Sequence, residues 1–188
     1  MSVVRFLVTV LTVISGIALP RDVGGVISDE KKVNKVFCYH SLRSNESIYS
    51  HSIQDVHGIT NIDWSNYKGS VVLVQEPGDN GTEIMNSLKY VRPGDGFVPK
   101  FELTERTNVN GADEHPMFTY LKSMCPAVWQ SFAKKSRLLY EEMRANDIRW
   151  NFEKFLLDRR GKPVIRYSET YHPDDIKADI QHLLMAQI

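Results

Sequence analysis

Apolar positions along the chain change their spacing several times, and each change marks an element. Val71-Val72-Leu73-Val74 is a continuous, mostly β-branched run following Gly69, and Gln75-Glu76-Pro77-Gly78 stops it at once. An unbroken run of this kind predicts a strand buried on both faces of a parallel or mixed sheet. Thr82 can cap a helix that carries Ile84, Met85, Leu88 and Val91 at helical spacing and ends before Pro93-Gly94. Phe101-Glu102-Leu103-Thr104-Glu105 alternates as a strand does, and Ile48-Tyr49-Ser50 with Ile53 predicts a short strand or hairpin. His115-Pro116 precedes a second helix bearing Phe118, Tyr120, Leu121 and Met124, closed by Pro126. Residues 148–157 read as an apolar-rich strand and 158–163 as a turn, with Val164-Ile165-Arg166-Tyr167 returning as the antiparallel partner. Pro173 opens a C-terminal helix with Ile176, Ile180, Leu183 and Leu184 on one face. The sequence predicts one α/β domain with a mixed sheet over residues 36–188.

The N-terminus has another pattern. Arg5 precedes an apolar stretch over residues 6–14, and Ser15-Gly16-Ile17-Ala18 follows. One positive charge, a short apolar core and small residues at Gly16 and Ala18 predict a signal peptide over residues 1–18, cleaved after Ala18. Thr9, Thr12, Ser15 and Gly16 break the run, which falls short of the ~20 apolar residues of a membrane span. Residues 19–35 read as a flexible lead-in. The expectation is a secreted, extracellular protein without a membrane anchor. In that setting Asn45-Glu46-Ser47 and Asn80-Gly81-Thr82 are glycosylation sequons at Asn45 and Asn80.

Charge changes the picture only by exclusion. Lys and Arg number 23 and Asp and Glu 23, which gives no basic face for nucleic acid. The six histidines (His40, His51, His57, His115, His172 and His182) show no metal-ligand spacing, so no metal is expected and solvated surface is their default reading. Two cysteines, Cys38 and Cys125, are too few for a disulfide scaffold; one disulfide and two free thiols are equally open.

Chemistry enters through a resemblance. Three blocks resemble the glutathione peroxidase family, a branch of the thioredoxin-like fold. They are Gln75-Glu76-Pro77-Gly78-Asp79-Asn80, the stretch from Leu88-Lys89-Tyr90 through Arg92-Pro93-Gly94-Asp95-Gly96-Phe97-Val98-Pro99, and Asp147-Ile148-Arg149-Trp150-Asn151-Phe152-Glu153-Lys154-Phe155-Leu156. Val109-Asn110-Gly111 and Ser123-Met124-Cys125-Pro126 also match, and the N-terminal signal is similar to that of the family's secreted members. The resemblance implies reduction of hydrogen peroxide and organic hydroperoxides, with glutathione as co-substrate and no bound cofactor. It also implies a homo-oligomer contact through the 90–99 segment.

The departure from the family's pattern is internal. There the core strand runs into Asn-Val-Ala-Ser, a selenocysteine or cysteine nucleophile and Gly-Leu-Thr, then a helix and a second strand ending at a glutamine. Here Val74 joins Gln75 directly, so about a βαβ unit is missing, nucleophile and glutamine included. Of the catalytic set, the resemblance leaves Trp150 and Asn151, with Arg92 and Arg149 as candidate contacts for the glutathione carboxylates. An indole N–H and an amide can stabilise an anion, but neither can attack a peroxide. Without an anion to hold, Trp150 reads as a packing residue and Asn151 as a backbone-bonding one. Loss of the unit also predicts a marginal, partly formed sheet with one exposed apolar edge at residues 71–74.

Overall fold

The computed structural model describes residues 5–10, 34–39, 45–75, 81–138 and 140–186, residues 5–10 as a strand only. Six strands make one sheet: β1 (Arg5–Val10), β2 (Lys35–Phe37), β3 (Val72–Gln75), β4 (Leu103–Arg106), β5 (Lys154–Leu157) and β6 (Pro163–Tyr167). Their order is β2-β6-β5-β3-β1-β4, and every neighbouring pair is antiparallel. The expected parallel neighbour of β3 is therefore replaced. β3 pairs with β5 on one side and β1 on the other, both antiparallel.

Alternation along the strands builds a core on each face of the sheet. Val72 and Val74 of β3, with Phe155 and Leu157 of β5, pack with Met117, Phe118 and Leu121 of α2 (Pro116–Met124). Val71, Leu73 and Leu156 point the other way, onto Ile176 and onto Ile180 of α3 (Lys177–Met185). A strand with both faces covered has no polar positions, which is why 71–74 is apolar throughout. Two helices thus sandwich the sheet.

Local chemistry sets the boundaries. His115 caps α2: its Nδ1 accepts from Met117 N at 3.2 Å, and Pro116 sits where no N–H is needed. Residues 173–176 form one 3-10 turn before α3, with His172 Nδ1 accepting from Asp174 N. Gly161 closes the β5–β6 turn at φ +72°, and a Cβ there would lie 2.9 Å from Ile48 Cγ2 and from the Tyr49 ring. α1 (Gly81–Tyr90) buries none of its residues, although Ile84, Met85 and Leu88 are half-covered.

Several expectations change. Residues 48–50 form a 3-10 turn, not a strand, because Ile48 N is tied to Gly161 O and Ser50 Oγ accepts from Ser47 N. The strand expected over 148–157 begins only at Lys154, since Phe152 turns the chain at φ +67°. β2 begins inside the expected lead-in: Lys35 pairs opposite Tyr167 and its Nζ lies 2.7 Å from Asp179. The rest of that lead-in, residues 19–33, lies outside the described residues, as do Ala18 and Asn80. The apolar edge expected at β3 is covered, because β1 aligns Val8 with Val74 and Val10 with Val72. Among the described residues no helix is long and apolar enough to cross a membrane.

Candidate functional site

Residues 144–153 carry Trp150 and Asn151 on an irregular segment between α2 and β5, so its geometry depends on side chains. From the α2 side, Lys122 Nζ donates to Asp147 Oδ1 at 2.9 Å and to Asn110 Oδ1 at 3.1 Å, and it pairs with Glu114. Asn110 bonds both the N–H and the C=O of Ile148, at 3.0 and 2.9 Å. Asp147 Oδ2 accepts from Arg144 N at 2.7 Å and from the Tyr140 hydroxyl at 3.2 Å. Burial, followed by the Asp147 charge, pushes the Tyr140 phenol up and keeps it a donor.

From the sheet side, Arg166 and Glu153 form a fully buried pair 2.7 Å apart. Arg166 also donates to the carbonyls of Asn146 at 2.8 Å and Asp147 at 2.9 Å, and the other Glu153 oxygen accepts from Arg149 N. These charges are neutralised and saturated with hydrogen bonds, the condition under which buried ions are tolerated. Both networks grip the backbone just before Trp150.

Arg149 and Trp150 then diverge. The Arg149 guanidinium turns inward, donating to the carbonyls of Trp129, Asp147 and Ala145, and its carbon lies 3.6 Å from the Phe132 ring centroid. Burial and the neighbouring Arg166 lower its pKa. Each of its three nitrogens makes one such bond, which uses three of the five guanidinium N–H groups. Trp150 is 37% exposed, with Arg137 stacked on it at 4.6 Å. Trp129, Phe132, Arg137, Arg149, Trp150 and Glu169 line a shallow cavity of about 390 Å³. Asn151 is half-buried beside it, in the turn before Phe152. Arg92 is exposed after α1 and does not line this cavity. Asn45 is exposed.

The two cysteines meet. Cys38 and Cys125 form a disulfide, both buried in the α2-side core, and neither is a free thiol. Backbone bonds flank it, from Cys38 N to Val164 O and from Tyr39 N to Met124 O. Two histidines depart from the solvated default: burial is the largest influence on His51 and on His115 and lowers the pKa of each.

Sequence reasoning missed Lys122, Asp147, Glu153 and Arg166. A signal for one of them existed: Glu153, followed by Lys154, places charge where an apolar strand was expected, and charges in such a place are held by buried partners. Lys122 carried none, because a lysine on an amphipathic helix reads as surface.

Comparisons with known proteins agree with this framework. A family model for glutathione peroxidase matches residues 74–122, which span α1, β4 and most of α2. Glutathione peroxidase 3 of Sapajus apella is 47% identical over 113 residues, covering 60% of this chain and 50% of that protein. Glutathione peroxidase 3 of Mus musculus gives the same identity and coverage. An epididymal secretory glutathione peroxidase of Rattus norvegicus is 46% identical over 106 residues, covering 56% of this chain and 48% of that protein. The chain therefore spans about half the length of the curated relatives it matches. The crystal structure of T. cruzi GPX1 shares the fold at TM-score 0.51 and 23% identity, over 76% of this chain and 100% of that one. Over the matched residues the chain is similar to the glutathione peroxidase family.

Proposed function

We propose that this chain is a secreted glutathione peroxidase relative that holds the family's framework without turning over peroxide. One observation carries the reading: the chain has two cysteines, both closed in one buried disulfide, while β3 runs from Val74 directly into Gln75. Peroxide reduction needs a thiolate or selenolate to attack the O–O bond, and a disulfide sulfur, which carries no negative charge, is a far weaker nucleophile. Trp150 and Asn151 then serve as packing and turn residues, and Arg149 as a backbone clamp. Glutathione and hydroperoxides are the substrates of the family reaction and not, in this reading, of this chain.

Secretion is supported by the leader pattern of residues 1–18 and by the name of the secretory rat relative. Asn45 and Asn80 are proposed as glycan acceptors. Self-association is proposed through the 90–99 segment, where Tyr90, Val91 and Val98 are 67%, 68% and 58% exposed. A trapping experiment tests the catalytic reading. The purified chain is treated with hydrogen peroxide in the presence of dimedone and digested for mass spectrometry. No sulfenic-acid adduct is expected at either cysteine. An adduct on Cys125 would make it a nucleophile and overturn the proposal.

A further inference from the structure

The sheet contains a place built for a single strand. β3 and β4 are not paired with each other, and β1 lies between them, antiparallel to both. Among the described residues β1 is the sheet neighbour of β4, which is also tied to the 54–55 stretch by the Asp55–Thr104 bridge and by Glu105 N to Gln54 O. The gap is therefore bounded on both sides. It accepts one extended segment and excludes the edge of another sheet, which would have to displace β4.

The wall of the gap is selective. Residues 71–74 are buried, uncharged and free of proline, and carry none of the devices that protect an exposed edge. The segment that fills it matches in kind. Phe6-Leu7-Val8-Thr9-Val10 is uncharged, contains no proline, and ends in three β-branched residues. Residues 7–10 cover β3 over its whole length, Leu7 opposite Gln75 and Val10 opposite Val72. These same residues lie within the stretch that reads as a cleaved leader.

We propose that the gap between β3 and β4 is a strand-acceptor site whose built-in occupant is the chain's own Arg5–Val10, so that cleavage after Ala18 turns a closed sheet into one with an open slot for an extended apolar segment. The acceptor site rests on the sheet geometry; its opening on maturation rests on the leader reading. The two parts fail separately.

Cross-linking the uncleaved full chain tests the first part. Directly opposed residues in an antiparallel pair have Cβ atoms ~5 Å apart, and the native cysteines are already paired. A short bis-methanethiosulfonate, which forms a disulfide with each thiol and releases a sulfinate each time, should join Val8→Cys to Val74→Cys within one chain. It should do so at least ~10-fold more than for Leu7→Cys with Val72→Cys, three residues out of register and on opposite faces. Equal yields would overturn the register, and links between chains would assign the slot to a second copy. Val8→Pro, which removes a backbone donor, should speed amide exchange across residues 72–75 at least ~10-fold and leave residues 164–167 unchanged; unchanged exchange at 72–75 also overturns the site. For the second part, secreted chain starting at Leu19 should show the same fast exchange. Secreted chain that retains Met1 overturns opening on maturation.

Discussion

Breaking the Cys38–Cys125 disulfide should cost a large part of the chain's stability. The bridge joins residues 87 apart in sequence and encloses β3, α1, β4 and the whole of α2. Constraining an unfolded loop of that length is worth about 4.6 kcal/mol in the chain-entropy relation at 25 °C. Typical domain stabilities are ~5–15 kcal/mol. The double variant Cys38→Ser/Cys125→Ser avoids leaving a stray thiol, and two buried hydroxyls add their own desolvation cost. At ~2–4 °C per kcal/mol for a domain of this size, its melting midpoint should fall by roughly 10–18 °C. Because both sulfurs are buried, a mild reductant should leave the folded chain intact until it opens. Differential scanning calorimetry of the two chains reads the shift. Alkylation of the unreduced, denatured chain should add no mass. A midpoint change under ~2 °C, or two alkyl groups per chain, would refute the reasoning.

Three further outcomes follow from particular side chains. Lys122→Met leaves the buried Glu114 and Asp147 carboxylates without their shared cation, and breaking such a pair costs ~3–5 kcal/mol; a urea midpoint equivalent to less than ~1 kcal/mol of loss would contradict the buried network. His115 has its pKa lowered by burial first and by His51 next, against opposing contributions from the Ser52 backbone and Glu105, and its neutral Nδ1 caps α2. An unfolded histidine takes a proton more readily than this one, so the contribution is complete above pH ~6.5 and is lost as pH falls through the depressed folded value. His115→Asn keeps a capping acceptor and should flatten that part of the stability profile below pH ~6.5; an unaltered slope assigns the dependence elsewhere. Mass spectrometry of secreted protein should give a chain starting at Leu19, and intact Met1 in membrane fractions would contradict the leader.

Periodicity made α2, the β5–β6 hairpin and the C-terminal helix legible, because each buries one face against the sheet. The segment around Trp150 was legible only as a strand. What turns it there is the Phe152 backbone and the grip of Lys122 and Arg166, which come from elements far away in sequence. The role of β1 was hidden for another reason. A short apolar run after one arginine serves equally as a leader and as a central strand, and only the gap beside β3 distinguishes the second use. The disulfide could not be read from spacing alone, since sequence says nothing of whether β2 passes the end of α2. The inward turn of Arg149 was not legible, because it follows from three backbone carbonyls that the fold brings to the guanidinium.

The central claim, a family framework without a nucleophile, is tested most directly by peroxide turnover. Purified chain, glutathione, glutathione reductase and NADPH are mixed with hydrogen peroxide or an organic hydroperoxide, and NADPH loss is followed. The account predicts a rate equal to that of the Cys38→Ser/Cys125→Ser chain and of glutathione alone. Turnover above that background, abolished by Cys125→Ser, would contradict it and make Cys125 the attacking group.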